Sequence, residues 1–273
     1  MTSRMSSSPA ASEPVSAVRP EPASVARAFL TPRRPSRPRA LTLDGGETLR
    51  IATPEGEIAL LRAGAAPLVL LLHGWEGQAS DLAAFAAALL EAGFGVLAMD
   101  LPAHGASAGA QSSIPQAARA LRAVSDALGP LYGAIAHSLG APVLVEALHA
   151  GMAVSRVVLI AAPAHYERYA RAFAAAAGLD AHRADAMLAS LRDVMGVDVR
   201  EVSLPARALH LRQPALFIHS GDDRVVPIED CLTNAAAWSG ARHMRVEGLG
   251  HGRILTDPVV VASVIRFITT NTD

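Results

Sequence analysis

The sequence predicts an α/β fold, a mostly parallel central sheet with helices on both faces. Three observations carry this. Short apolar runs recur that are too short for buried helices, such as Leu68 to Leu72 and Gly95 to Met99. Segments with helical spacing alternate with them. Almost every chemically interesting residue sits where one of these runs breaks: His73-Gly74, Asp100, Ser138 and Pro163. In such sheets, ligands bind beyond the carboxyl ends of the strands.

In chain order, residues 1 to 40 are rich in Ser, Pro, Ala and Arg, and seven prolines interrupt regular structure. They are expected to be a disordered or loosely packed arm, with one helical turn over Ser24 to Phe29. The basic end at Arg33, Arg34, Arg37 and Arg39 also suits a polyanion-binding arm. From Leu41 the pattern changes. Thr48 to Thr53 and Glu57 to Arg62 alternate around Pro54-Glu55-Gly56, the mark of an antiparallel hairpin. Then follow a strand at 68–72, a helix over 81–92 capped by Ser80 and ended by Gly93, and a strand at 95–99. Next come a helix over 114–128, a strand at 131–136, a helix over 139–150 and a strand at 156–160. The rhythm stops between about 164 and 207. Helices over 165–177 and 182–195 there are expected to form a small helical cap. The sheet resumes at 214–219, followed by a helix over 229–238, a strand at 243–246 and a helix over 258–269 after Thr256-Asp257. The domain expected is therefore 41–273, with the cap inserted at about 164–207.

Composition narrows the function. Of 273 residues, 51% are apolar, enough for a full core, and the net charge is −1, which gives no reason to expect nucleic acid. There is no lysine; a compositional bias toward arginine accounts for this more simply than anion binding. Cys231 is the only cysteine, so an intrachain disulfide is excluded and a reducing, cytoplasmic setting is expected. No apolar run reaches the ~18 residues of a membrane span, and no signal-peptide core stands at the start. HExxH, CxxC and a strand-following GxGxxG are all absent. No metal and no cofactor are expected.

The chemistry gathers at Ala136-His137-Ser138-Leu139-Gly140. Small residues flank the serine, which permits a tight strand-to-helix turn that pushes its hydroxyl out at the sheet's end. A serine hydroxyl needs a base, and the base needs an anion to orient it. His251, between Gly250 and Gly252 after the last strand, suits the base. The acid comes from His219-Ser220-Gly221-Asp222-Asp223, after the 214–219 run.

With these motifs in order, the chain resembles the α/β-hydrolase superfamily from Leu41 onward. The resemblance implies the nucleophile, acid and base order Ser138, Asp223, His251. Asp222 stays open as the alternative acid, because Ser220 stands where the family's frame has glycine. At the elbow, Ala136 replaces the usual first glycine. The resemblance also implies an oxyanion hole from the backbone N–H groups of Trp75 and Leu139. It implies a carboxylesterase-like serine hydrolase acting on a small-molecule ester. Thioesters, lactones, amides, carbon–carbon bonds and peracid formation are served by the same parts. Relatives that are dehalogenases or epoxide hydrolases carry aspartate at the elbow, so Ser138 argues against both. A non-catalytic member that binds a ligand or partner in the pocket is the alternative from another class. Oligomeric state and acyl chain length are left open.

The remaining residues are read as follows. Asp100 and His104 order the loop after the 95–99 strand. His137 points into structure, away from substrate. His165 lies at the surface or packs in the cap, or else borders the pocket. His149 and His243 lie at the surface. Glu76 is a solvated loop carboxylate, or a group that repels acidic substrates. Met187, Leu188, Leu191 and Met195 form a stripe that belongs to core or to an apolar pocket.

Overall fold

The computed structural model describes residues 20–35 and 39–270. The Ser/Pro-rich beginning and Arg37 lie outside them. In chain order the elements are α1 (Pro22–Phe29), β1 (Glu47–Thr53), β2 (Gly56–Ala63), β3 (Leu68–Leu72), α2 (Ala83–Glu91), β4 (Gly95–Met99) and α3 (Ile114–Leu128). Then come β5 (Leu131–His137), α4 (Gly140–His149), β6 (Val154–Ile160), α5 (Tyr166–Ala176), α6 (Ala181–Met195) and α7 (Leu204–Ala208). Last are β7 (Ala215–Ser220), α8 (Ile228–Ala237), β8 (Arg242–Val246), α9 (Gly250–Arg253) and α10 (Pro258–Thr269).

The eight strands form one sheet in the order β1-β2-β4-β3-β5-β6-β7-β8. The β1–β2 hairpin is antiparallel, β2 pairs antiparallel with β4, and every later pairing is parallel. Strands β3, β4 and β7 are buried along their whole length, which is why they read as unbroken apolar runs. The chain leaves β3 for β4 on one side and returns to β5 on the other. That reversal opens a crevice at the carboxyl ends of β3 and β5, where His73 and Ser138 lie.

Two apolar layers cover the sheet. One packs α2 and α10 against Val69, Leu71, Ile135 and Val158. The larger one takes α3, α4, α6 and α8. Helix α3 starts on Ser113, whose hydroxyl accepts the Gln116 amide, and α10 starts on Asp257, which accepts the amides of Val259 and Val260. The turn before α2 differs from expectation. Residues Ala79–Leu82 form a 3-10 turn, and Gln78 with Asp81 make a reciprocal capping box. That box takes the role assigned to Ser80, whose hydroxyl is buried with no hydrogen-bond partner.

The arm between 20 and 35 also differs. Instead of one turn it holds an eight-residue helix with Pro22 at its start. Val25, Ala26 and Leu30 are buried in the larger core layer. Helix α1 packs on α6, and Met187, Leu188, Leu191 and Met195 of α6 are buried in that same layer. The stripe on α6 is therefore core. Hydrogen bonds fix the arm along its length: Arg183 Nη2 donates to the Pro20 carbonyl (2.7 Å), the Ser112 amide to the Leu30 carbonyl (2.8 Å) and Arg34 Nη2 to the Gly109 carbonyl (3.1 Å). Proline spacing concealed a short amphipathic segment whose partner lies some 150 residues further along the chain.

Replacing the fully buried Leu30 with alanine is expected to lower unfolding free energy by about 3 kcal/mol, as for other buried leucines. Urea titration of the full chain measures it; a change near zero would mean the arm is not part of the folded core.

Candidate active site

Ser138 follows the last residue of β5 with φ +50°, a conformation that side-chain-bearing residues seldom adopt. Its backbone is held from both sides. The Ser138 amide donates to the Ile160 carbonyl on β6 (2.9 Å), and its carbonyl accepts the Ala141 amide (2.9 Å). Gly140 lets α4 approach β3. A Cβ there would lie 2.6 Å from the His73 carbonyl oxygen and 2.8 Å from that of Leu72. Ala136 is fully buried in β5, and its extra methyl is accommodated.

The Ser138 hydroxyl lies 3.0 Å from His251 Nε2, and His251 Nδ1 lies 2.7 Å from Asp223 Oδ2. One tautomer satisfies both contacts: Nδ1–H donates to the carboxylate, and Nε2 accepts the serine proton. Asp223 Oδ1 accepts the amides of Val225 (2.8 Å) and Val226 (3.0 Å). Burial pushes the Asp223 carboxyl up, but the His251 hydrogen bond and these two amides outweigh it and hold the pKa below the usual value. The structure thus brings Asp223, not Asp222, to the imidazole.

Asp222 and Ser220 have another task, which sequence reading missed. Ser220 Oγ donates to Asp222 Oδ1 and accepts the amides of Leu249 (3.2 Å) and Gly250 (3.1 Å). Asp222 also accepts the Gly250 amide (3.0 Å). Together they tie down the backbone just before His251. The only signal was Ser220 standing where glycine is usual. His137 acts on the same loop from the other side. Its Nε2 donates to the His251 carbonyl (3.0 Å), and the two rings lie 4.8 Å apart.

Trp75 and Leu139 line a cavity of about 700 Å³ together with Ser138. Among the described residues, neither amide donates a backbone hydrogen bond, so both N–H groups are unspent. The loops behind them are ordered by the residues expected to order them. His73 Nδ1 donates to the Gly74 carbonyl (2.7 Å), and Nε2 accepts the Leu101 amide (3.0 Å). Asp100 accepts the amides of Ala79 and Ala106, both at 2.8 Å. A Cβ on Gly105 would collide with that carboxylate at 2.1 Å. His104 packs edge-on against Trp75, with centroids 5.1 Å apart.

Glu76 is neither free nor simply solvated. Arg33 of the arm donates to it from Nε (3.0 Å), Nη2 (3.3 Å) and its backbone N–H (3.1 Å). His165 is exposed and meets Ser203 Oγ at 3.2 Å. His149 and His243 are exposed. Cys231 is a free, buried thiol pushed up to about 12 by burial, far from nucleophilic use. Among the described residues no three His, Cys, Asp or Glu side chains group to hold a metal ion, and no helix is long and apolar enough to cross a membrane.

A family model described as the alpha/beta hydrolase family matches residues 69–264. The chain belongs to that family. Solved structures of similar fold include an esterase from Exiguobacterium antarcticum (19% identity, TM-score 0.66, 82% of this chain and 100% of that one). An esterase from a Rhodococcus species is similar at 21% identity and TM-score 0.62, covering 83% and 99%. A hydrolase from Pseudomonas aeruginosa is similar at 22% identity and TM-score 0.63, covering 82% and 99%. No curated protein matches at a significant level. In this member of the family the arm helix α1 precedes the region the family model matches.

Three buried histidines make stability depend on pH. Burial lowers the pKa of His73. Burial, then the neighbouring His73, pushes His104 down to about 4, and burial, then His251, pushes His137 down to about 3. The unfolded chain takes up protons at these sites below ~6.5, so it binds more protons than the fold in the window below that value. The stabilisation is present above pH 6.5 and lost as pH falls toward 4. His104 and His137 are each expected to cost about 2 kcal/mol by pH 5 relative to pH 8, and His73 adds in the same direction. Urea midpoints at the two pH values measure this; equal midpoints would contradict it.

Proposed function

We propose that this family member is a serine hydrolase that cleaves a carboxylic ester through Ser138, His251 and Asp223. The observation that carries the reading is the unbroken hydrogen-bond chain from Ser138 Oγ through His251 to Asp223, with the serine held at φ +50° beside a cavity. A hydroxyl so placed has its base within reach and an orienting carboxylate behind that base.

In this proposal Ser138 Oγ attacks the ester carbonyl while His251 Nε2 takes its proton. Asp223 stabilises the imidazolium without being protonated. The amides of Trp75 and Leu139 receive the oxyanion, each such donor contributing about 3 kcal/mol. The Leu139 amide also lies at the positive end of α4. His251 then protonates the departing alcohol, leaving an acyl-serine. Water, deprotonated by His251, attacks that ester and releases the acid and the free serine. Residues 164–207 act as a cap, of which α5 borders the cavity through Tyr166, Tyr169 and Phe173. No cofactor enters these steps. With one cysteine and no disulfide to form, the reading places the enzyme in the cytoplasm.

Ser138→Ala is expected to abolish turnover of p-nitrophenyl esters and labelling by a fluorophosphonate, with the urea midpoint preserved. Asp223→Asn is expected to lower kcat by about 10³-fold or more, and Asp222→Asn by less than about tenfold. Turnover retained in pure Ser138→Ala protein would sink the reading. A wild-type chain that neither turns over nor labels would point to a ligand-binding member of the family.

A further inference from the structure

Two cavities meet at Ser138, and they differ in chemistry. The larger, about 700 Å³, is walled by Phe29, Leu139, Tyr166, Phe173 and Val225. The smaller, about 370 Å³, is walled by Arg39, Ser80, Asp81, His251 and Thr256. Trp75 borders both. His251 borders only the smaller one.

That asymmetry orients a substrate. The departing oxygen must lie within hydrogen-bond reach of His251 to receive its proton, and the water that replaces it needs the same base. The leaving alcohol therefore belongs on the His251 side, in the smaller cavity. The acyl group then lies in the larger one. Its walls are aromatic and aliphatic. Phe29 packs on Tyr166 and on Phe173, with centroids 5.3 Å apart in each pair. The charged residues among its described lining are Arg33 and Glu76, and they neutralise one another. An acyl group that carried charge would find no free partner there and would lose its hydration. The smaller cavity is the more polar of the two. Arg39 pairs with Asp81 at 2.8 Å, and the Ser80 hydroxyl is buried without a partner.

We propose that the arm helix α1 is the acyl-selecting wall of this hydrolase. An uncharged, apolar acyl group of medium chain length lies against Ala28 and Phe29 in the larger cavity, and a small polar alcohol faces His251 in the smaller one. The Arg33–Glu76 pair fastens the end of the arm to the loop that carries Trp75. Selection of the acyl group thus rests on residues that precede the family-matched region 69–264. The inference rests on the serine-hydrolase reading above.

The test uses the full chain and two series of alkylphosphonates, one varying the alkyl group with p-nitrophenoxide as leaving group and one varying the leaving group, which trap an activated serine without needing turnover. Inactivation rates are compared for an octyl and a methyl phosphonate, and for a small and a bulky leaving group. Two variants are used, Ala28→Trp and Thr256→Trp. Both positions are exposed, so an indole there leaves the core undisturbed. Ala28→Trp is expected to lower the octyl-to-methyl ratio by about tenfold or more, the scale on which a hydrophobic pocket discriminates. Thr256→Trp is expected to lower the bulky-to-small leaving-group ratio instead. The opposite pattern would overturn the orientation. An octyl-to-methyl ratio unmoved by Ala28→Trp would overturn the arm's role while leaving the hydrolase reading intact. Absence of Ser138 labelling in the wild type would overturn both.

Discussion

The left-handed turn at Ser138 is the constraint on which the site depends. It holds only because three segments close on it. Strand β6 accepts the serine amide through the Ile160 carbonyl. Helix α4 starts so near β3 that a Cβ on Gly140 would collide with the carbonyls of Leu72 and His73. The Gly74 loop leaves no room on the other side, since a Cβ on Gly74 would come within 2.9 Å of Ser138 Cβ. A serine at φ +50° is disfavoured in isolation, and the packed sheet around it supplies the compensation. The same closeness puts Trp75 and Leu139 beside Ser138 at one cavity.

Around that turn the polar groups are used economically. Each of His73, Asp100 and His137 satisfies loop backbone rather than facing solvent. Ser220 and Asp222 do the same for the loop before His251. The imidazole is thereby fixed on three sides: by Asp223 at its ring, by His137 at its own carbonyl, and by the Ser220–Asp222 pair just upstream. A loop positioned by backbone hydrogen bonds holds a side chain more firmly than packing alone. Glycines flank His251, and these contacts remove the freedom that those glycines would otherwise allow.

The arm alters how the pocket is built. The insertion between β6 and β7 supplies aromatic lining through Tyr166 and Phe173, and Phe29 of the arm packs against both and lines the same cavity with Arg33. Helix α6, whose apolar stripe suited core or pocket lining in the sequence, is the platform on which α1 rests. The larger cavity is therefore bounded on one side by residues that come from outside the family-matched part of the chain.

The sequence by itself determined the parallel sheet and the order of its strands along the chain. Fully buried strands and amphipathic helices leave opposite periodicities, and Gly and Pro punctuate both. It also determined that Ser138, Asp223 and His251 would lie at strand ends. It favoured Asp223 but left Asp222 open, because adjacent residues on a loop point in directions that only the loop's folded path sets. It did not show that Ser220 restrains the His251 loop, a contact spanning about thirty residues. Nor did it reveal the docked arm. Eight residues between prolines carry too little periodic signal, and their burial depends on α6, on the pairing of Arg33 with Glu76 and on the Ser112 amide, all far away in the chain. Local patterning encodes elements; contacts between distant segments exist only once the sheet has brought them together.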